Sequence, residues 1–172
     1  MLRNCASLRD DGDTRMMTMV HGSAVAIGGL GVLLLGPSAS GKSDLALRLI
    51  DRGAKMIGDD ILHIKSTDNT PQLEYAPSIA GKIEVRGVGI CSVDYVASAP
   101  LRLVVEFAED IDRMPAEDMR TMIADFSVPL VKLDAFQVSS ALKVELALRS
   151  VIDAGLLPVA QHADIAHESA KL

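Results

Sequence analysis

Eight consecutive residues in the first third of the chain have the composition of a phosphate-binding loop. They are Gly36, Pro37, Ser38, Ala39, Ser40, Gly41, Lys42 and Ser43, and they fit the pattern G-x-x-x-x-G-K-[ST]. In that pattern the backbone N–H groups face phosphate oxygens, the lysine reaches the β and γ phosphates, and the hydroxyl binds Mg²⁺. The loop therefore predicts a site for a nucleoside triphosphate with Mg²⁺.

The segments on either side of the loop have the secondary structure that this chemistry requires. An apolar strand is predicted over residues 31–35 and a helix over residues 42–52, with Gly53 placed to end the helix. The amino end of that helix adds partial positive charge to the same anion site. This context favours a phosphate loop over a Gly/Ser-rich turn without a ligand.

Two adjacent carboxylates form a second candidate site. Asp59 and Asp60 follow a short apolar strand predicted over residues 54–57. A carboxylate at the end of a strand after a phosphate loop can hold Mg²⁺ or orient a nucleophile. Because neighbouring side chains on an extended segment point to opposite faces, we expect two different roles unless the chain turns there. A solvated acidic turn is the alternative.

Two weaker candidates lie before and after these motifs. His21 separates strands predicted over residues 16–20 and 23–27, and an exposed loop histidine is the simpler interpretation. Glu84 and Arg86 share one face of a predicted strand, where they could form an exposed ion pair.

Composition restricts the partners. The chain of 172 residues has a formal net charge of −6, only two tyrosines, three phenylalanines and no tryptophan, and no Lys/Arg run. These features argue against a nucleic-acid surface. Two cysteines do not indicate an oxidising compartment, and no segment resembles a signal peptide or a membrane span, so we expect a cytoplasmic protein with no membrane contact.

The periodicity predicts one catalytic domain over residues 16–157, with loose tails over residues 1–15 and 158–172. Further strands are predicted over residues 61–64, 72–75, 83–86, 90–93, 101–107 and 128–133, and further helices over residues 115–125 and 137–154. Because the middle third is nearly all strand, it lacks the regular βα alternation of nucleotide kinases. We expect an α/β fold with a mixed sheet and flanking helices.

Taken together, the motifs resemble the catalytic domain of the HPr kinase/phosphorylases. His21 and Gly22, the phosphate loop and the aspartate pair are followed by EVRGVGI at residues 84–90, which is similar to the family signature E-I-R-G-L-G-I. The resemblance covers residues 16 to about 153. It implies a P-loop fold related to the PEP carboxykinases rather than to the nucleotide kinases.

The resemblance also implies roles for single residues. Lys42 and His21 match active-site residues of the family. Asp60 matches the carboxylate that takes the proton from a target serine, with Asp59 as its neighbour, although an offset of one residue would exchange the two. Arg113 matches a further catalytic arginine, at a shortened spacing.

Metal and signature positions follow in the same way. Ser43 and Glu84 match the metal-binding positions. Residues 84–93, which include Arg86, Gly87 and Gly89, match a segment that the family uses in both directions of its reaction.

The implied activity is ATP-dependent phosphorylation of a serine of HPr, the phosphocarrier protein of the phosphotransferase system, in the regulation of carbon and nitrogen metabolism. A homo-oligomer, a hexamer, is implied as well. The family's P-V-R-P-G-R-N loop is replaced here by residues 128–136, which leaves the reverse, phosphorolytic dephosphorylation open. With about fifteen residues before the first strand, the chain looks like the short, catalytic-domain-only form of proteobacteria. A small-molecule P-loop kinase and a nucleotide-dependent sensor without turnover are the alternatives.

Overall fold

The computed structural model describes residues 7–8, 17–76, 80–116 and 118–161, which form eleven strands and two α-helices. The strands are β1 (Ser7–Leu8), β2 (Met17–Ile27), β3 (Leu30–Leu35), β4 (Lys55–Thr67), β5 (Thr70–Tyr75), β6 (Lys82–Val85), β7 (Gly89–Ser92), β8 (Ser98–Phe107), β9 (Arg120–Ile123), β10 (Phe126–Leu133) and β11 (Val159–Ala160). The helices are α1 (Lys42–Asp51) and α2 (Ser140–Asp153). The expected mixed α/β fold, rich in strands, is confirmed.

Nine strands form one mixed sheet, and β6 and β7 form a separate hairpin. Antiparallel pairing joins β3 to β2, β2 to β4, β4 to β5 and β5 to β8, and β8 then pairs in parallel with β3. These five strands therefore close into a ring. Strand β10 extends the sheet in parallel with β8, and β9 and β11 pair antiparallel with β10.

The parallel strands β3, β8 and β10 end at the same edge of the sheet, because parallel strands share their direction. The phosphate loop directly follows β3, and the segment that leads to α2 directly follows β10. Ligands of α/β sheets bind beyond the carboxyl ends of such strands. The topology thus places the candidate loop where a ligand site is expected.

Side chains of β3 alternate between two hydrophobic clusters. Val32 and Leu34 belong to the cluster that also contains Leu45 of α1 and Val144 of α2, whereas Leu33 belongs to the cluster around the ring strands. All three side chains of this strand are fully buried. A strand that is covered on both faces has apolar side chains at successive positions. This explains the continuous apolar sequence of residues 31–35.

Helix α1 has the predicted boundaries to within one residue. It begins at Lys42 after Gly41, whose φ of 91° lies in the left-handed region. It ends at Asp51, and Gly53 has a φ of 101° and donates its N–H to the carbonyl of Ile50 at 2.9 Å. The glycine is therefore the predicted helix terminator.

The helix predicted over residues 115–125 is wrong. The structure has strand β9 there, then a turn at Ala124, whose φ is 50°, and then β10. Arg120 of β9 donates to the side chain and the carbonyl of Ser127 at 2.9 and 2.8 Å, and to the carbonyl of Leu157 at 2.6 Å. Helix propensity is a weak preference, and these cross-strand contacts override it.

Several predicted boundaries also change. The two strands predicted on either side of His21 and Gly22 are one strand, β2, over Met17–Ile27, and those predicted over residues 54–57 and 61–64 are joined in β4, over Lys55–Thr67. In the tails predicted to be loose, Ser7–Leu8 pairs with β2 and Val159–Ala160 pairs with β10. The rest of the first tail, and the second tail beyond Gln161, lie outside the described residues.

Candidate active site

The phosphate loop curls between β3 and α1. Ala39 and Gly41 have φ values of 63° and 91°. Lys42 Nζ donates to the carbonyl oxygens of Gly36 at 3.0 Å and Pro37 at 2.7 Å, so the ammonium lies against the loop itself. A cation is therefore already present where the pattern requires one for phosphate.

The first aspartate is hydrogen-bonded to the loop. Ser43 Oγ lies 3.0 Å from each carboxylate oxygen of Asp59, and its single hydroxyl proton is directed at that carboxylate. Ser23 on β2 also donates to Asp59 Oδ1, at 2.5 Å. Asp59 thus links the P-loop serine to the neighbouring strand, which is the position of a carboxylate beside a P-loop metal site.

Ser23 is a site residue that the sequence analysis missed. Its side chain is fully buried, and it faces Asp59 across the β2–β4 pairing. The only signal in the sequence is a polar residue at the start of an apolar run, and such a residue has many interpretations. Its partner lies 36 positions away and becomes visible only once the strand register is known.

The chain turns at the second aspartate. Asp60 has a φ of 75°, in the left-handed region, and its side chain is exposed. Just before the pair, the β2–β4 register shifts so that Ile57 has no partner on β2. Irregularities of this kind re-aim side chains. Asp59 and Asp60 both line the cleft beside the phosphate loop.

The signature segment forms the β6–β7 hairpin. Glu84 is exposed and pairs with Ile90, while its neighbour Ile83 is buried. Gly87 and Gly89, with φ values of 82° and 112°, lie at the turn. Strand alternation puts Lys82 and Glu84 on one face, and Lys82 Nζ donates to Ser92 Oγ at 2.7 Å.

An open cleft of about 800 Å³ brings most of the predicted residues together. Its lining includes Ser38, Ala39, Gly41, Lys42, Ser43, Asp44, Asp59, Asp60, Lys82, Glu84, Arg86 and Phe136. A volume of this size lies within the usual range for small-molecule sites. Both cationic and acidic side chains line it, and a metal-bound polyphosphate can use both: cations for its phosphates and oxygen ligands for its metal.

Two of the predicted catalytic residues, His21 and Arg113, do not line this cleft. The loop residues Gly36, Pro37 and Ser40 and the signature glycines Gly87 and Gly89 are also absent from its lining. His21 is exposed on β2 and pairs with Ile61, and its neighbour Gly22 pairs with Asp60. Arg113 is exposed in the segment between β8 and β9. Their catalytic roles therefore stay predictions.

Comparison with known proteins defines the class of this chain. The sequence model of the family described as "HPr Serine kinase C-terminal domain" matches residues 14–154. The chain therefore belongs to this family, and the resemblance deduced from four motifs is confirmed.

Individual relatives agree. The chain is 35% identical over 136 residues to the HPr kinase/phosphorylase of Enterococcus faecalis, covering 72% of this chain and 44% of that protein. It is 34% identical over 125 residues to the HPr kinase/phosphorylase of Bacillus pumilus, covering 65% of this chain and 40% of that protein. The chain thus spans about two fifths of the length of these curated relatives.

A solved structure supports the fold. The HPr(Ser) kinase/phosphatase from Coxiella burnetii superposes with a TM-score of 0.70 at 24% sequence identity, covering 80% of this chain and 97% of that one. Within the part of our chain that the structure describes, neither helix has the length and apolar composition needed to cross a membrane.

Proposed function

We propose that this chain is a protein serine kinase that transfers the γ-phosphoryl group of ATP to a serine hydroxyl of an HPr-type phosphocarrier. Membership of the HPr serine kinase family supports the reaction class. The observation that carries the proposal is the contact of Ser43 with Asp59, with Asp60 turned into the same cleft. This arrangement combines phosphate binding with a free carboxylate.

Phosphate binding is assigned to the loop. Its backbone N–H groups and the amino end of α1 would contact the phosphate oxygens. When the nucleotide binds, the Lys42 ammonium would leave the carbonyl oxygens of Gly36 and Pro37 and contact the β and γ phosphates. Little movement is needed, because both carbonyls belong to the loop itself.

The residues present also fit Mg²⁺. Ser43 and Glu84 both line the cleft and offer oxygen ligands, which Mg²⁺ prefers. The described residues contain no group of three or more His, Cys, Asp or Glu side chains arranged for a metal. Phosphate and water oxygens would therefore complete the coordination, as is usual for this ion. When bound, Mg²⁺ would neutralise charge on the transferred phosphoryl group.

Asp60 is assigned as the general base. Asp59 is already the acceptor of two serine hydroxyls, whereas Asp60 is exposed and faces the cleft. As the acceptor serine oxygen forms its bond to the γ phosphorus, the bond from phosphorus to the bridging oxygen breaks and leaves ADP. The serine proton moves to the Asp60 carboxylate.

The reverse reaction would use the same group. When inorganic phosphate attacks the phosphorus of phosphoserine, pyrophosphate forms and the bond to the serine oxygen breaks, and a protonated Asp60 would donate its proton to that oxygen. Residues 128–136 comprise most of β10 and the turn after it. Whether this segment supports phosphorolysis is settled by incubating the phosphorylated acceptor with inorganic phosphate and measuring pyrophosphate.

Labelled ATP, Mg²⁺ and purified HPr test the forward reaction. We expect an acid-stable phosphoester on a serine of HPr, because a hydroxyl needs the base that Asp60 supplies, whereas a neutral imidazole does not. Label on an acid-labile histidine, or on a small metabolite with HPr unlabelled, would contradict the proposal. Nucleotide binding without any transfer would favour the sensor alternative.

A further inference from the structure

An exposed aromatic ring lies at the rim of the cleft. Phe136 is 69% exposed and lines the cleft, in a chain with only three phenylalanines. It lies close to the phosphate loop, since a Cβ built on Gly41 would be 3.2 Å from the Cε1 and Cζ atoms of the ring. A large apolar side chain is thus presented beside a phosphate site.

The backbone that carries this ring is fixed. Phe136 donates its N–H to Asp134 Oδ1 at 2.9 Å. Arg48 of α1 donates to the carbonyl of Gln137 at 3.0 Å and to the carbonyl of Ala135, the residues on either side of the ring. Because the helix that begins at the phosphate loop holds both neighbours of Phe136, loop and ring have a defined spacing.

The topology puts both features at one edge of the sheet. Strands β3, β8 and β10 are parallel, the phosphate loop follows β3, and Phe136 follows β10 by three residues. A nucleotide with its phosphates in the loop must place its sugar and base elsewhere along this edge. A flat base that leaves water needs an apolar face, and Phe136 offers one.

We propose that Phe136 stacks on the base of the nucleotide. This inference rests on the proposed function and names the part of the site that recognises the donor beyond its phosphates. Stacking on an aromatic ring is worth about 5- to 150-fold in affinity, and it tolerates different bases because every base has a π-face. The ring therefore adds affinity for nucleotides in general, with little preference for one base.

A comparison of two ligands tests this role. In the Phe136→Ala variant, the Kd for ATP·Mg²⁺ rises by about 5- to 150-fold, whereas the Kd for inorganic tripolyphosphate·Mg²⁺, which has no base, stays within twofold of the parent value. Val138→Ala is the matched control, since Val138 is 97% exposed on the same connection and does not line the cleft. Equal weakening of both ligands, or no weakening of ATP, would overturn the inference.

Because the chain contains no tryptophan, a Phe136→Trp variant has a single indole fluorophore. We expect ATP·Mg²⁺ to quench its emission through stacking and tripolyphosphate·Mg²⁺ to leave it unchanged. Val138→Trp provides the same fluorophore outside the cleft and should respond to neither ligand. A fluorescence response to ATP from both variants, or from neither, contradicts stacking of the base on residue 136.

Failure of this inference is distinguishable from failure of the proposed function. If the parent chain binds neither ATP nor tripolyphosphate, the assignment of the phosphate site is wrong, and stacking of the base on Phe136 is rejected as well. If the parent binds and transfers normally, while Phe136→Ala raises only the KM for the acceptor protein, then the ring contacts the acceptor. That outcome rejects stacking on the base and leaves the kinase assignment intact.

Discussion

The two adjacent aspartates have different environments, so we expect substitution of each to have a different effect. Asp60→Asn keeps the shape of the side chain but cannot accept a proton. We expect transfer to fall by about 10²- to 10⁴-fold, while the Kd for ATP·Mg²⁺ stays within a few-fold of the parent value. Single-turnover transfer and equilibrium nucleotide binding, measured on the same preparation, separate the two effects.

Asp59→Asn is the matched comparison. Its carboxylate accepts from Ser23 and Ser43, and an amide cannot replace both acceptor oxygens. We therefore expect this variant to lose nucleotide affinity as well as transfer. Should Asp59→Asn instead show intact binding with lost transfer, the two residues exchange roles.

We expect Ser23 to act by positioning the carboxylate of Asp59. Ser23→Ala removes the 2.5 Å hydrogen bond that fixes Asp59, so we expect kcat to fall about tenfold, or ~1.4 kcal/mol in barrier, at saturating ATP. Ser140→Ala is the control, since Ser140 is also fully buried and donates one 2.5 Å hydrogen bond, to the carbonyl of Asp134. Both variants should lose about 1–3 kcal/mol of stability. Equal kcat values for the two would mean that Ser23 is only structural.

The sequence predicts residues of this site when their signal is local. The phosphate loop and the aspartate pair are contiguous motifs, so spacing alone identifies them. Ser23 depends on a strand pairing across 36 positions, and Phe136 depends on a connection that begins after a distant strand. Neither signal exists before the register and the topology are known.

At the level of elements, prediction succeeds where one pattern dominates. Helix α1 combines a P-loop start, an amphipathic run and a terminating glycine, and its boundaries are nearly correct. Residues 115–125 carry a proline and acids at a helix start, yet β9 forms there because Arg120 bonds to two neighbouring segments. Those partners lie in other parts of the chain, so local propensity cannot reveal them.

The two helices are joined by one ion pair. Arg52, at the end of α1, contacts the Glu145 carboxylate of α2 at 2.7 and 2.8 Å. The hydrogen bond from Arg52 holds the pKa of Glu145 below its usual value of 4.5, although partial burial opposes the shift. The folded state therefore favours the ionised carboxylate.

This pKa shift predicts a pH-dependent stability difference. A carboxylate with a lowered folded-state pKa stabilises the fold above its unfolded pKa, and that contribution disappears as pH falls through the folded value. Glu145→Gln should therefore be slightly less stable than the parent near neutral pH, and the gap should close below about pH 4.5. Urea unfolding of both proteins between pH 3 and pH 7 measures this difference in the free energy of unfolding. A gap that widens on acidification would contradict this origin.

For the whole molecule, the composition and strand pattern predict a mixed sheet, but not its closure. The ring of β2, β4, β5, β8 and β3 closes through the parallel β3–β8 pair, which joins strands separated by residues 36–97. The pairing of distant strands has no local signature. The ring matters for the site because its hydrogen-bonded strands β2, β4 and β3 carry Ser23, Asp59 and the start of the phosphate loop side by side.

Because the site is assembled from several strands of this sheet, it exists only in the folded chain, and we expect ligand binding to stabilise the fold. A ligand that binds only the folded state at 100 times its Kd adds about 2.7 kcal/mol, which for a domain of this size corresponds to a rise in Tm of roughly 5–10 °C. We expect that rise for the parent with ATP·Mg²⁺. We expect almost none for Lys42→Ala at the same concentration, because the variant lacks the ammonium that opposes the phosphate charge.

The ligand-free proteins provide the control. Within the described part of the chain, the Lys42 ammonium bonds to the carbonyls of Gly36 and Pro37 alone, so its loss should change the ligand-free Tm by less than the ligand shift of the parent. Thermal unfolding of the parent and of Lys42→Ala, each with and without ATP·Mg²⁺, gives the four Tm values that are compared. A full ligand shift in Lys42→Ala would show that the nucleotide does not use this loop, and the assignment of the cleft would then be wrong.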